Sequence, residues 1–107
     1  MSEEDPTTRR LDQWLWFARF VKSRSLAVRL CTGGAVSVNG EKARKASRAI
    51  RPGDLLALRL GKSRRSVRIL ALGDRRGPAP EAHGLYEEIA VEERPAPEWI
   101  PLLEESD

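Results

Sequence analysis

Hydrophobic residues in the stretch RRLDQWLWFARFVKSRSLAVRLCTGGAVSVNG, from Arg9 to Gly40, recur with two different periods, and that change constrains the fold more than any other feature. Leu11, Trp14, Leu15 and Ala18 share one stripe at helical spacing, as do Leu26, Ala27, Leu30 and Cys31. Two short helices are expected, the first from about Arg9 to Phe17 and capped by Thr7 or Thr8, the second capped by Ser23 and reaching about Thr32. Asp12 sits in the first turn of the first helix, where a negative charge suits the helix dipole. Gly33-Gly34 then stops the second helix, Ala35 to Val38 alternates with period two, and Asn39-Gly40 signals a type I′ hairpin turn. Trp16 and Phe20 fall on the far side of the first stripe, where they either stack on nucleobases or, as is commoner for aromatics in small cores, pack beneath another segment.

Lys42 and Ala43 can continue a second strand, and Pro52-Gly53-Asp54 is a turn. Leu56, Leu58 and Leu60 alternate with Leu55, Ala57 and Arg59, and Val67, Ile69 and Ala71 with Arg68, Leu70 and Leu72, which predicts two further strands around the basic turn GKSRR. That turn is no phosphate-binding P-loop, because the glycine needed five residues before Gly61 is Leu56. From Arg75 the chain becomes acidic and punctuated by proline, and the four-residue spacings Leu85 to Ile89 and Tyr86 to Ala90 predict a helix from about Pro80 to Glu93, weakened by Gly84. That helix would lie across Trp16 and Phe20. Beyond Pro95 an extended or disordered tail is expected, with an optional contact by Trp99 and Ile100. The expected fold is α+β: a helix-loop-helix packed on a small, mainly antiparallel sheet, with a C-terminal acidic helix. Residues 1–8 form an acidic N-terminus, 9–76 the domain, and 77–107 the acidic helix and tail.

Charge follows the same divisions. Residues 9–76 hold 18 Lys plus Arg against 4 Asp plus Glu, whereas residues 77–107 hold 1 against 9. A basic middle between acidic ends attracts polyanions, and the cations Arg19, Lys22 and Arg24 crowd the point where the second helix begins, whose free N–H groups also favour phosphate. At 107 residues one domain is expected, with no room for a second, catalytic one. Cys31 is the only cysteine and His83 the only histidine, so neither a disulfide nor a multi-ligand Cys/His zinc site can form within one chain. Cys31 reads as a small buried hydrophobe and His83 as a surface residue. MSEEDPTT lacks the basic start and apolar core of a signal peptide, so a soluble cytoplasmic protein is expected.

RLDQWLW, KSRSLA, GGAVSVNG, the KAS at Lys45 to Ser47 and the PGD at Pro52 to Asp54 together resemble the RNA-binding domain first known in ribosomal small-subunit protein four, the S-four domain, over about residues 9 to 60. WLWFARF and RRGPAPEAHGLYEE extend the likeness, to about Arg94, to the ribosome-associated fifteen-kilodalton heat-shock family. The resemblance implies RNA lying over the helix junction and the basic side of the second helix. Its RNA-facing positions would be Arg10, Arg19, Lys22, Ser23, Arg24, Arg29, Asn39, Lys42, Lys45 and Ser47. It also implies a target of structured ribosomal RNA in the free large subunit, including one still carrying peptidyl-tRNA. A module of this size can bind as a monomer. The tail departs from the heat-shock pattern in being short, acidic and interrupted by Pro95, Pro97 and Pro101, which argues against RNA contacts there.

Three other classes fit less well. An enzyme would need a base beside a nucleophile, yet the one histidine lies in the acidic segment, and the Glu87-Glu88 and Glu92-Glu93 pairs read as a solvated face. A DNA-reading helix-turn-helix would expose several base-reading side chains, whereas the second helix offers chiefly Arg24 and Arg29. A protein-interaction adaptor would use the acidic helix and Trp99. No cofactor, metal or small-molecule substrate is expected.

Overall fold

The computed structural model describes residues 7–93. The described chain opens with a two-residue strand β1 (Arg9–Arg10), which runs straight into helix α1 (Leu11–Phe17). Helix α2 (Arg24–Thr32) follows, then strands β2 (Val36–Val38), β3 (Glu41–Lys42), β4 (Ala49–Ile50), β5 (Leu55–Leu60) and β6 (Ser63–Ile69). A short helix α3 (Ala79–His83) leads into strand β7 (Tyr86–Glu93). β1 pairs with β4, and the other strands form one antiparallel sheet in the order β3-β2-β5-β6-β7. The class is α+β, with the helix pair on one face of the sheet.

The stripe of α1 does what its spacing predicts, and that of α2 does so at Ala27 and Cys31, whereas Leu26 and Leu30 are only partly buried. Leu11, Trp14, Leu15 and Ala18 of the first are buried with Ala27 and Cys31 of α2 against Val36, Val38, Leu56, Leu58, Val67 and Ile69 of the sheet. Trp14 brings a polar atom into this core, and its indole N–H donates to the Ala71 carbonyl at 2.9 Å, which satisfies that donor. Asn39 and Gly40 have φ of +51° and +87°, the pair of positive values that a type I′ turn demands.

The start of α1 differs from expectation. Its cap position is Arg10, not Thr7 or Thr8, and the Arg10 side chain makes no capping bond. Because Arg9 and Arg10 are held extended opposite Ile50 and Ala49, the loop before β4 lies against the helix start. The N–H groups of Leu11 and Asp12 donate to the carbonyls of Arg48 and Ala46 at 2.9 and 3.1 Å, so backbone oxygens do the work of a cap.

The acidic segment differs more. The helix expected over Pro80 to Glu93 ends at His83, and the chain returns as β7 along the edge of β6. The helical spacing misleads because Tyr, Ile and Val also suit a strand, and β6 presents cross-strand partners for the carboxylates. Arg65 binds Glu88 through two nitrogens, with Nε to Oε2 at 3.2 Å, and Arg68 faces Glu87 at 3.8 Å. A register shift between Ser66 and Val67 lets Tyr86 reach the core edge. Phe20 lies beneath Tyr86, with ring centroids 4.7 Å apart, and Trp16 lies beneath the Arg76 guanidinium at 5.6 Å. Packing therefore claims both aromatics, although strand and arginine cover them rather than a helix. Residues 1–6 and the expected tail beyond Pro95 lie outside the described residues. Among the described residues no helix is long and apolar enough to cross a membrane.

Tyr86 joins Trp14, Phe20 and His83 in one aromatic cluster. Tyr86→Ala should lower the unfolding free energy by about 2–4 kcal/mol and shift tryptophan emission to the red. Urea unfolding followed by fluorescence checks this, and an unchanged midpoint would place the cluster outside the cooperative core.

Candidate nucleic-acid interface

The helix junction is organised by a buried carboxylate. Asp12 has a side chain only 2% exposed, and both of its oxygens accept from Arg10, Nε to Oδ1 and a terminal nitrogen to Oδ2, each at 3.0 Å. Arg24, the first residue of α2, reaches the same Oδ2 at 3.4 Å. Two guanidinium groups from different elements are thus held beside one anion, each still about half exposed, leaving a net positive patch. Burial alone would push the Asp12 carboxyl up, but the hydrogen bonds and charge of Arg10, with Arg24 in support, hold it below the usual carboxylate range. Cys31 packs nearby in α2, and burial, with a smaller push from Asp12, raises its thiol to about 11. It is the inert core residue expected.

Ser23 caps α2 as predicted, its hydroxyl accepting from the Leu26 N–H at 3.2 Å. The backbone bonds from Leu11 and Asp12 bring the loop over residues 43–48 beside the Arg10 and Arg24 pair. That loop exposes Arg44, Lys45 and Ser47, and a cavity of about 390 Å³ is lined by Glu41, Lys42, Arg44, Lys45 and Arg48. Arg10, Arg24, Lys45 and Ser47 therefore come together on the α1 side of α2 and the adjoining loop, whereas Lys42 borders that cavity but reaches over Gly34 toward the outer face of the sheet. On the side of α2 facing the β5–β6 turn, Lys22 and Arg29 line a groove of about 540 Å³ with an apolar floor that includes Phe20, Leu26, Leu30 and Leu60.

Two expected positions have other employment. Asn39 donates its amide to Asp54 at 3.1 Å and accepts from the Leu55 N–H at 2.9 Å, so its polar atoms fasten the hairpin to β5. Arg19, at φ +65°, donates from Nε to the Gly77 carbonyl at 2.8 Å and ties the helix link to the segment before α3. Asp12 is the residue that sequence reasoning missed as part of the site. A carboxylate flanked by Arg10 and followed by Arg24 was the available signal, and the dipole explanation hid it. Among the described residues, Glu81, Glu87 and Glu88 of the acidic segment do not cover this surface, since they pair with Arg75, Arg68 and Arg65. Among the described residues no cluster of His, Cys, Asp or Glu could hold a metal ion.

A helix pair with its capped junction, a cationic loop and a small antiparallel sheet define an S4-domain protein, and the S4-domain family model matches residues 9–56. The chain belongs to this family of RNA-binding proteins, and within it to the heat shock protein 15 group. It is 44% identical over 96 residues to heat shock protein 15 of Escherichia coli strain K12, spanning 88% of this chain and 71% of that one. Heat shock protein 15 of Vibrio cholerae, solved as a trimer, superposes with a TM-score of 0.73 at 44% identity, covering 78% of this chain and 83% of the other. The RQC P-site tRNA stabilizing factor of Bacillus subtilis strain 168 is 40% identical over 65 residues, 61% of this chain and 74% of its own.

Because Asp12 has a depressed pKa in the folded state, its pairing contributes stability that is fully present above the unfolded value near 3.9 and is lost as pH falls through the folded value. Asp12→Asn should cost about 1–2 kcal/mol at neutral pH and flatten the stability profile below about pH 4. Unfolding midpoints measured from pH 7 to pH 2.5 check this, and parallel profiles for the two proteins would refute it.

Proposed function

We propose that the protein binds structured RNA without catalysis, and that its target is ribosomal RNA of the large subunit, in the cytoplasm, where stalled subunits carrying peptidyl-tRNA are handled. The observation that carries this reading is the pair Arg10 and Arg24, locked at one buried carboxylate beside the exposed Arg44, Lys45 and Ser47. Guanidinium groups fixed in place lose little freedom when they meet phosphate, and their planar forks match its oxygens. Lys22 and Arg29, on the other flank of α2, extend the contact. A-form RNA hides its bases in a deep groove, so a surface of this kind gains affinity from phosphates and 2′-hydroxyls and recognises shape. The names of the Escherichia coli and Bacillus subtilis relatives support a place in translation quality control, with transfer RNA as a second contact.

With five or six phosphates engaged, the logarithm of the binding constant should fall against the logarithm of salt with a slope of roughly −4 to −5. Lys22→Ala and Arg24→Ala should each weaken binding to many structured RNAs alike and lower that slope by about one. Titrations of hairpin RNA, duplex DNA and purified large subunits at one salt concentration check the reading. Preference for the DNA duplex, or a slope near zero, would replace it.

A further inference from the structure

The outer face of the sheet, turned away from the helices, carries a second concentration of positive charge. Along one cross-strand row, Ser37 of β2 faces Ala57 of β5, Ala57 faces Ser66 of β6, and Ser66 faces Ala90 of β7. Four small side chains in four adjacent strands make a shallow floor about 14 Å long at the usual strand spacing. The trough above it has a volume of about 490 Å³. Lys42 is opposite Ser37 at one end, and its chain lies over Gly34, with Cδ 3.4 Å from where a Cβ would stand. Along one side, Arg59 and Arg64 face each other across β5 and β6, and Lys62 lies in the turn between them. The other side is neutral by comparison, because Arg68 there pairs with Glu87.

Like charges directly opposite in a sheet destabilise it. No ion pair joins Arg59 or Arg64 to another side chain among the described ones, and two carboxylate residues stand in register at that end, Glu92 opposite Arg64 and Glu93 opposite Ser63. No aromatic ring lines the trough, whereas the hydroxyls of Ser37 and Ser66 do. The features suit the sugar-phosphate backbone of a nucleic-acid strand better than a stacked base or an apolar peptide.

We infer that this trough is a second RNA site, in which Lys42, Arg59 and Arg64 hold the phosphates of a single strand crossing the sheet while Ser37 and Ser66 meet its 2′-hydroxyls. The inference rests on the RNA-binding reading of the helix face but concerns the opposite side of the molecule. The test compares three full-length proteins, the parent, Arg59→Gln/Arg64→Gln and Lys22→Ala/Arg24→Ala, each titrated across a salt series with a uridine oligonucleotide, its deoxyribose counterpart, a hairpin RNA and a polyglutamate peptide. The sheet variant should bind the oligonucleotide at least tenfold more weakly, with a salt slope smaller by about 1.5 to 2. Its melting temperature should stay within a few degrees of the parent's, which separates lost binding from lost folding, and the amide NMR signals of Ala57, Ser66 and Ala90 should shift in the parent on oligonucleotide addition. An unchanged slope and affinity in the sheet variant, with a loss in the helix variant, would overturn the trough and leave the first site standing. Equal affinity of the parent for RNA and DNA oligonucleotides would overturn the 2′-hydroxyl contacts. Failure of the parent to bind either RNA would end both proposals, and capture of an acidic peptide in preference to RNA would assign the trough to protein.

Discussion

Asp12 joins parts of this molecule that lie apart in the chain, the β1–α1 start, the loop before β4 and helix α2. Its backbone N–H anchors the loop before β4, its carboxylate grips Arg10 in β1 and Arg24 at the head of α2, and its charge reaches Cys31 one helical face deeper. Removing a carboxylate from water is costly, and a pair buried on both sides often returns no net stability. Here only the anion is buried, while both cations keep about half of their surface in solvent, 52% for Arg10 and 41% for Arg24, so the desolvation cost falls on one partner. The fold and the proposed interface therefore share a component, and a change that loosens the helix junction also disperses the charges that would meet RNA.

The basic middle of the chain contains two populations of arginine. Arg9 donates to the Gly73 carbonyl at 2.7 Å and covers Phe17, Arg19 donates to Gly77, and Arg76 donates to the carbonyls of Trp16 and Val21 while covering Trp16. Together they strap the segment 73–77 to α1 and to the link before α2, where few apolar groups are available to pack. The guanidinium fork suits this task because it binds two carbonyls at once and lies flat on a ring. Lys22, Arg29, Arg44 and Lys45 make no such bonds among the described residues and stay available to a ligand.

That division marks the limit of what the sequence alone discloses. Periodicity placed both helices, the hairpin, strand β5 and the second half of β6, because burial on one face leaves a repeating signature in the residues themselves; β6 itself starts at Ser63, inside the stretch expected as a basic turn, and stops at Ile69 rather than Leu72. It misled from Leu85 onward, where the spacings of a helix and a bulged edge strand coincide and the decision is made by β6, whose Arg65 and Arg68 lie about twenty residues earlier. Thr7 and Thr8 were plausible caps by type, but a loop of the folded chain supplies carbonyls in their place. Counting cations located the charged half of the molecule, yet neither the turn bonds of Asn39 nor the strap role of Arg19 has a local signature. Both depend on a partner that folding brings from 15 to 58 residues away.

The acidic segment also governs where charge is exposed. Had it formed a separate helix across Trp16 and Phe20, its glutamates would have faced the helix junction and competed with any polyanion there. As strand β7 it lies at the edge of the sheet, and its carboxylates neutralise arginines of β6 that would otherwise repel one another. Arg59 and Arg64, which form no ion pair among the described side chains, lie together on the outer face, whereas Arg65 is turned inward over Phe20 at 4.9 Å. Strand alternation thus sorts one basic sequence, SRRSVR, into a structural half and an exposed half. Cations are therefore directed to particular faces rather than spread evenly, with Arg65 and Arg68 paired to carboxylates of the edge strand.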